Sequence, residues 1–510
     1  MISEIGLWLC VLSLTIWVIL LGFWGQFWRS DQRLTRQETD LPMFPNICAV
    51  IPARNEADLL PVTLRSLLNQ DYPGHFRVVL VDDSSTDGTA NVARDVAQEL
   101  NKTQQLHVLS GQPLAPGWTG KLWALHQGIQ YAQTLTPPPD YFLLTDADIE
   151  HDALNLRCLV AKAQQEDLDL VSLMVRLRCK SIWEKLLIPA FVFFFQKLNP
   201  FPWVNDPTKS TAAAAGGCIL ITREALTRIG GIEVVRDALI DDCALAQAVK
   251  STRFSQFPHE INSKFKIRLE KFALSGNQRQ SPRLGNPPAV LVPPGTPVRT
   301  TGETPASDWL NFSQNSKFGV TPSSPSSPSS PSLPHSLTPS SPSSSSLPHP
   351  PHSLTPSLPH FLTPSSPSSP KIWLGLTDST QSLRPYPSLS TIWDMVARTA
   401  FTQLNYSFGL LIVTVMGMIL IYIVPPVCAI FGLLTGNSLV AIAALSTWLL
   451  MAYAYLPTIR LYGCSPALAL CLPGIALLYT LMTVDSAVRH WQNRGGTWKG
   501  RVYSKTIKAG

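Results

Sequence analysis

Between Asn46 and Met174 the chain alternates short apolar runs with longer amphipathic ones. ICAVIP precedes Asp58 to Asn69, RVVLV precedes Asp87 to Glu99, LHVL precedes Lys121 to Ala132, YFLLT precedes Asp152 to Gln165, and LDLVSLM closes the series. Strand and helix in strict alternation predict an α/β fold with a parallel-dominated sheet flanked by helices. Ligands of such sheets sit where the carboxyl ends of the strands open into loops. Acidic residues stand at those ends here: Asp82 and Asp83 after RVVLV, Asp146 and Asp148 after YFLLT.

Other stretches carry no charge at all. Ile5 to Trp28 is long enough to cross a hydrocarbon core of about 30 Å, and it predicts an anchor over residues 1–28. The competing reading, a cleaved signal peptide, wants a shorter apolar run, a basic start and a small-residue cleavage site; the run ends instead in GFWGQFW. Arg29, Arg33 and Arg36 beyond it, against Glu4 in front, put the following domain on the cytoplasmic side. Phe408 to Ile459 and Leu461 to Val484 are also uncharged, so two or three further spans are expected over 408–484. Pro425-Pro426 interrupts the first of them and predicts a kinked or re-entrant piece. The basic tail, 485–510, favours the inside, which asks for one hairpin or re-entrant segment before it.

Composition supports this division. A chain of 510 residues holds about two or three structural units. With only 15% charged residues and a mean hydropathy of +0.11, it argues against a purely cytosolic enzyme. The net charge of +6 is modest, and no basic block marks a nucleic-acid binder. Nine scattered cysteines without a CxxC pair encode neither a disulfide framework nor a structural zinc site. From Ser251 to Pro370 serine and proline dominate, and Thr321 to Pro370 contains no Asp, Glu, Lys or Arg. Such a stretch buries too little apolar surface to offset chain entropy, so it is expected to be a disordered insertion between 45–250 and 371–407. A proline-motif docking segment is the alternative.

The acidic residues suggest chemistry. A diphosphate is commonly neutralised by a divalent cation held on one or two carboxylates. In an extended Asp146-Ala147-Asp148 both carboxylates would share one side; the alternative is a solvated turn or helix cap. Asp82-Asp83-Ser84-Ser85-Thr86-Asp87-Gly88 reads either as a ligand loop or as a turn whose Asp87 caps the next helix. Gly216-Gly217 permits close backbone approach to a ligand. Asp241-Asp242, opening a helix, offers a base beside an acceptor or simply complements the helix dipole.

Taken in order, Val50-Ile51-Pro52-Ala53-Arg54-Asn55-Glu56, Val81-Asp82-Asp83-Ser84-Ser85-Thr86-Asp87-Gly88-Thr89, Thr145-Asp146-Ala147-Asp148, Ala215-Gly216-Gly217 and Asp241-Asp242 closely resemble family 2 glycosyltransferases. The resemblance covers about residues 45 to 250 and Lys371 to Leu404. With Leu383-Arg384-Pro385-Tyr386-Pro387-Ser388, Gly496-Thr497-Trp498-Lys499-Gly500-Arg501-Val502-Tyr503 and the flanking apolar segments, it points to the membrane-bound, hopanoid-associated subgroup. It implies a GT-A fold, a nucleotide-diphosphate sugar donor, Mg²⁺ or Mn²⁺, and inverting transfer onto a lipid hydroxyl at a bacterial cell membrane.

Carried over by position, Pro52, Ala53, Glu56, Asp82 and Asp83 would hold the nucleoside, and Lys121, Gly216 and Gly217 would meet the donor. Asp146 and Asp148 would hold the metal, with Asp146 also on the donor. Asp242, or else Asp241, would be the base, and Arg398, Trp498 and Arg501 would belong to the acceptor side. Processive members carry QxxRW, whereas this chain reads Val396-Ala397-Arg398-Thr399 at that place, so one sugar per acceptor is expected. Rival expectations are transfer to a polyprenyl phosphate and a non-catalytic membrane scaffold that docks partners through its Ser/Pro segment.

Overall fold

A computed structural model describes residues 2–35, 41, 43–252, 370–492, 497–498 and 501–502. The expected insertion, 251–370, falls almost wholly outside the described residues.

The alternating segment folds as read. Strand β1 (Ile47–Ala53), helix α2 (Leu60–Leu68), β2 (Phe76–Asp82), α3 (Thr89–Glu99), β3 (Leu106–Ser110), α4 (Gly120–Gln133), β4 (Tyr141–Thr145), the two-residue β5 (Ile149–Glu150), α5 (Asn155–Gln165) and β6 (Leu170–Arg176) follow the apolar N-terminal helix α1 (Ile2–Phe23). Then come α6 (Ile182–Leu198), α7 (Phe201–Asn205), β7 (Cys218–Thr222), α8 (Arg223–Arg228), α9 (Asp241–Ser251) and β8 (Ile372–Ser382). The eight strands form one sheet in the order β3-β2-β1-β4-β7-β6-β8-β5. It is a GT-A-like mixed sheet, because β7 lies antiparallel between β4 and β6 and β5 runs antiparallel to β8.

All seven residues of β1 are buried, as a strand covered on both faces requires. Val50, Val81 and Leu144 pack beneath Leu122, Leu125 and Ile129 of α4 and Leu245 of α9. The alternate residues Ile51, Leu80 and Leu143 pack against Leu64 and Leu67 of α2, Val96 of α3 and Leu159 of α5. Two helical layers thus clamp the sheet, and every strand-end loop on the site side opens between them.

After β8 the chain forms α10 (Leu389–Ala397), α11 (Ala400–Gln403), α12 (Phe408–Met418), a π-turn over Ile419–Ile423, α13 (Val424–Thr435), α14 (Ser438–Leu461) and α15 (Leu472–Trp491). Among the described residues four helices are long and apolar enough to cross a membrane: Glu4–Phe23, Phe408–Thr435, Ser438–Leu461 and Pro466–Trp491.

The proline pair lies inside one continuous helical stretch, Phe408–Thr435, and kinks it without ending it. Pro425 lacks the N–H that would bond the carbonyl four residues back, on Ile421. The helix widens into the π-turn there, and Ile421 O accepts instead from Trp17 Nε1 (3.1 Å) and Ser13 Oγ (3.5 Å) of α1. Helix α6 joins this bundle to the domain: Leu187, Ala190 and Phe193 pack with Trp17, Tyr422, Tyr455 and Tyr479, alongside Ile392 and Val396 of α10. None of the nine cysteines is in a disulfide.

Candidate active site

A cavity of about 590 Å³ opens at the strand ends, bounded by β1, β4, β6, α6, α9, α10 and the segment after β8. Among the positions anticipated from sequence, Pro52, Glu56, Lys121, Asp146, Asp148, Gly216, Gly217, Asp241, Asp242 and Arg398 line it.

Asp146 and Asp148 enter from a turn between β4 and β5 rather than from an extended strand, which corrects the sequence expectation. The chain must reverse here to pass from β4 to β5, and Ile149 N donates to Asp146 O (3.4 Å) across the turn. Ala147 points into the core, leaving both carboxylates on the cavity.

Lys121, in the first turn of α4, sits between two carboxylates, with Nζ 2.9 Å from Asp146 Oδ1 and 3.2 Å from Asp241 Oδ2. Burial opposes its charge, but Asp146, Asp241 and Asp242 together raise its pKa above the ordinary lysine value. Asp242 is fixed at the start of α9: its Oδ2 accepts from Gly216 N (2.8 Å) and its Oδ1 from Cys243 N (2.7 Å). Burial and then the charge of Asp241 push it up to about 6, against the pull of Lys121. Burial raises Asp146 as well, with Lys121 opposing.

Gly216 lets its backbone stand close to Lys121 and Asp242. A Cβ there would lie 3.1 Å from Lys121 Nζ and 3.4 Å from Asp242 Oδ2.

Asp82, Asp83 and Ala53 do not line this cavity. They occupy the neighbouring strand ends: Asp83 N donates to Ala53 O (2.8 Å), and Asp82 Oδ1 accepts from Ser85 N (3.1 Å). The two loops are laced together, since Asn55 N donates to Ser85 Oγ (2.9 Å) and Ala57 N to Asp87 Oδ2 (3.0 Å). Asp87 also accepts from Thr89 N (3.0 Å) at the start of α3. Trp498 and Arg501 pair across a two-stranded antiparallel ribbon, β9 (Thr497–Trp498) with β10 (Arg501–Val502), and their side chains lie outside the described residues.

Sequence reasoning assigned no role to several lining residues. Arg384 reaches Glu56 Oε1 (2.6 Å) and Asp148 Oδ2 (3.3 Å), and Ser382 Oγ donates to Asp148 Oδ2 (2.6 Å). Their segment is held by Glu184, fully buried in the capping box of α6, which accepts from Tyr386 N (2.8 Å). Met174, Leu177, Phe191, Phe195 and Met395 make the far wall apolar. Phe191 and Phe195 are four residues apart on α6, a spacing that signals one helix face but not whether it meets core or cavity. Next to this wall, Phe401 is buried with Leu411 and Ala487, and Trp393 Nε1 donates to Asp485 Oδ2 (2.6 Å).

Residues 48–230 match the family model described as glycosyl transferase family 2. Among curated relatives, 4,4'-diaponeurosporenoate glycosyltransferase of Staphylococcus haemolyticus is 33% identical over 106 residues, 21% of this chain and 24% of that protein. Beta-monoglucosyldiacylglycerol synthase of Nostoc sp. is 33% identical over 90 residues, 18% of each. The chain thus spans less than a quarter of the length of these relatives. Among solved structures, the mannosyltransferase PcManGT of Pyrobaculum calidifontis, in complex with GDP-Man and Mn²⁺, has 22% identity and a TM-score of 0.35. That likeness covers 49% of this chain and 64% of that one. The family match thus falls on the segment that holds Asp82, Asp83, Asp146, Asp148, Gly216 and Gly217.

Proposed function

We propose that the protein is a membrane-bound inverting glycosyltransferase that moves one sugar from a nucleotide-diphosphate donor to a lipid hydroxyl, with a hopanoid-like lipid as the acceptor. The observation that carries this reading is the mixed lining of the cavity. The cavity lining joins the carboxylates and Lys121 with apolar Phe191 and Phe195 of α6 and Met395 of α10, and both helices pack on the membrane-length helices. On this reading the polar donor would sit among the carboxylates and the acceptor skeleton against the apolar residues. The relatives named 4,4'-diaponeurosporenoate glycosyltransferase and beta-monoglucosyldiacylglycerol synthase are in keeping with a lipid acceptor.

In this mechanism Asp242 takes the acceptor proton as the hydroxyl attacks the anomeric carbon. Gly216 N and Cys243 N hold its carboxylate in place, and its raised pKa makes it a better base than an ordinary aspartate. Lys121 ties the donor side to the base side through Asp146 and Asp241. The donor set suits Mg²⁺ or Mn²⁺: two carboxylates face the cavity, cationic side chains already stand against them, and no group of three or more ligating side chains occurs among the described residues. Such an ion, completed by phosphate oxygens, would be held by Asp146 and Asp148 and would neutralise the departing diphosphate. The domain is read as cytoplasmic, with Arg29 and Arg33 following α1.

A second reading, a polyprenyl-phosphate acceptor, is favoured by Arg398, exposed on the cavity rim and in no ion pair among the described residues. Membranes containing the protein, given radiolabelled nucleotide sugars, should yield a labelled lipid on extraction. An acid-labile product would select the phosphate reading, and no labelled lipid with any donor would reject both.

A further inference from the structure

Arg384 grips two carboxylates at the centre of the cavity. Glu56 and Asp148 are each only 7% exposed, and a buried carboxylate without a cation or donors is costly. Arg384 supplies the cation to both, Nη2 to Glu56 and Nε to Asp148. Its backbone is pinned on either side, Leu383 N donating to Asp148 O (2.9 Å) and Tyr386 N to Glu184 Oε1 (2.8 Å). The guanidinium is thereby aimed at Asp148 by the framework and not by a flexible loop. On the other side of the same turn, Lys121 does the corresponding work for Asp146 but is shared with Asp241. Arg384 remains about a third exposed, towards the cavity that the donor would enter.

Resting on the reading above, we propose that Arg384 is the stand-in cation of the metal-free site and a positioning residue for the donor. It neutralises Asp148 and Glu56 until Asp148 is given over to a divalent ion, and its guanidinium, with donors to spare, then faces the diphosphate. Two consequences of opposite sign follow. Arg384 competes with a metal bound alone, and it assists a nucleotide bound with metal.

The test uses the full chain in detergent or nanodiscs. Mn²⁺ alone is titrated by the electron paramagnetic resonance of the free ion, and UDP and GDP are then titrated calorimetrically at saturating Mn²⁺. In Arg384→Ala, Mn²⁺ alone should bind several-fold tighter, while whichever nucleotide the wild type binds should weaken by roughly tenfold or more, the scale of a lost charge-assisted hydrogen bond. Arg384→Lys should keep Mn²⁺ affinity near wild type. A merely structural arginine would weaken both in Arg384→Ala, and unchanged or weaker Mn²⁺ binding there overturns the proposal. Arg384→Gln gives the same readout should the alanine variant melt early. Wild-type protein that binds neither Mn²⁺ nor either nucleotide would overturn the glycosyltransferase reading itself, and this inference with it.

Discussion

Lys250 and Leu374 are fastened to adjacent residues of one short helix, α7. Lys250 Nζ donates to Val204 O (2.6 Å), and Leu374 N donates to Asn205 Oδ1 (2.7 Å). The chain therefore leaves the domain at the end of α9 and re-enters it at β8 beside the same support, although 253–369 lie between them in sequence. Doubling the length of a loop costs only about 0.6 kcal/mol, so the domain is expected to tolerate a change in the number of residues between these two ends. Replacing 253–369 by a short Gly/Ser linker should leave membrane insertion, melting temperature and sugar transfer close to wild type. A variant that reaches the membrane and folds but no longer transfers would assign the segment to acceptor or partner binding.

Lys250 itself should matter far more than the residues beyond it. It is 3% exposed and also donates to Thr211 O (2.7 Å) and Trp203 O (3.3 Å). Lys250→Met keeps the aliphatic stem and strips these carbonyls of their donor, so unfolding should become easier by about 2 kcal/mol, measured by thermal or denaturant melting.

Asp242→Asn should abolish transfer, by roughly 10² to 10⁴, while nucleotide affinity stays within a few-fold of wild type. The pH profile gives a second check. The base works ionised, and with Asp242 raised to about 6 the wild-type rate should fall as pH drops through that value and level off above it. The residual activity of the asparagine variant should lack this limb. Near-normal turnover in Asp242→Asn would move the base to Asp241 or support the phosphate acceptor.

Chelation should stop the reaction, and either Mg²⁺ or Mn²⁺ should restore it. Asp148→Ala should loosen the nucleotide in the presence of metal and leave metal-free binding little changed. Full activity after exhaustive metal removal would take the ion out of the mechanism.

Much of the site was readable because strand ends announce themselves: an apolar run that stops at two acidic residues needs no tertiary information. Asp146, Asp148, Asp241 and Asp242 were found this way or by resemblance, and the structure brings them to one cavity. The local geometry was less readable. Alternation suggested an extended Asp146–Asp148, but the short β5 forces a turn there. Arg384 and Ser382 were hidden by distance, since they meet Asp148 only because β5 pairs with the end of β8, at Ile149 and Ser382. The apolar wall was hidden for another reason: Phe191 and Phe195 have the spacing of ordinary core residues, and only the packing shows that they border a cavity. The antiparallel β7 also escaped, because an apolar run carries no mark of its direction.

The bond from Trp17 to Ile421 changes what the first helix is for. An anchor in the ordinary sense is interchangeable, since any stretch of about 20 apolar residues will hold a domain to a bilayer. Here α1 is also the hydrogen-bond donor that a proline has taken away from another helix. A leader borrowed from a different protein would restore attachment and still strand a carbonyl in hydrocarbon, where no water can replace the indole. Fusions and truncations that treat the first two dozen residues as packaging would therefore be expected to damage the helix hairpin at the opposite end of the sequence.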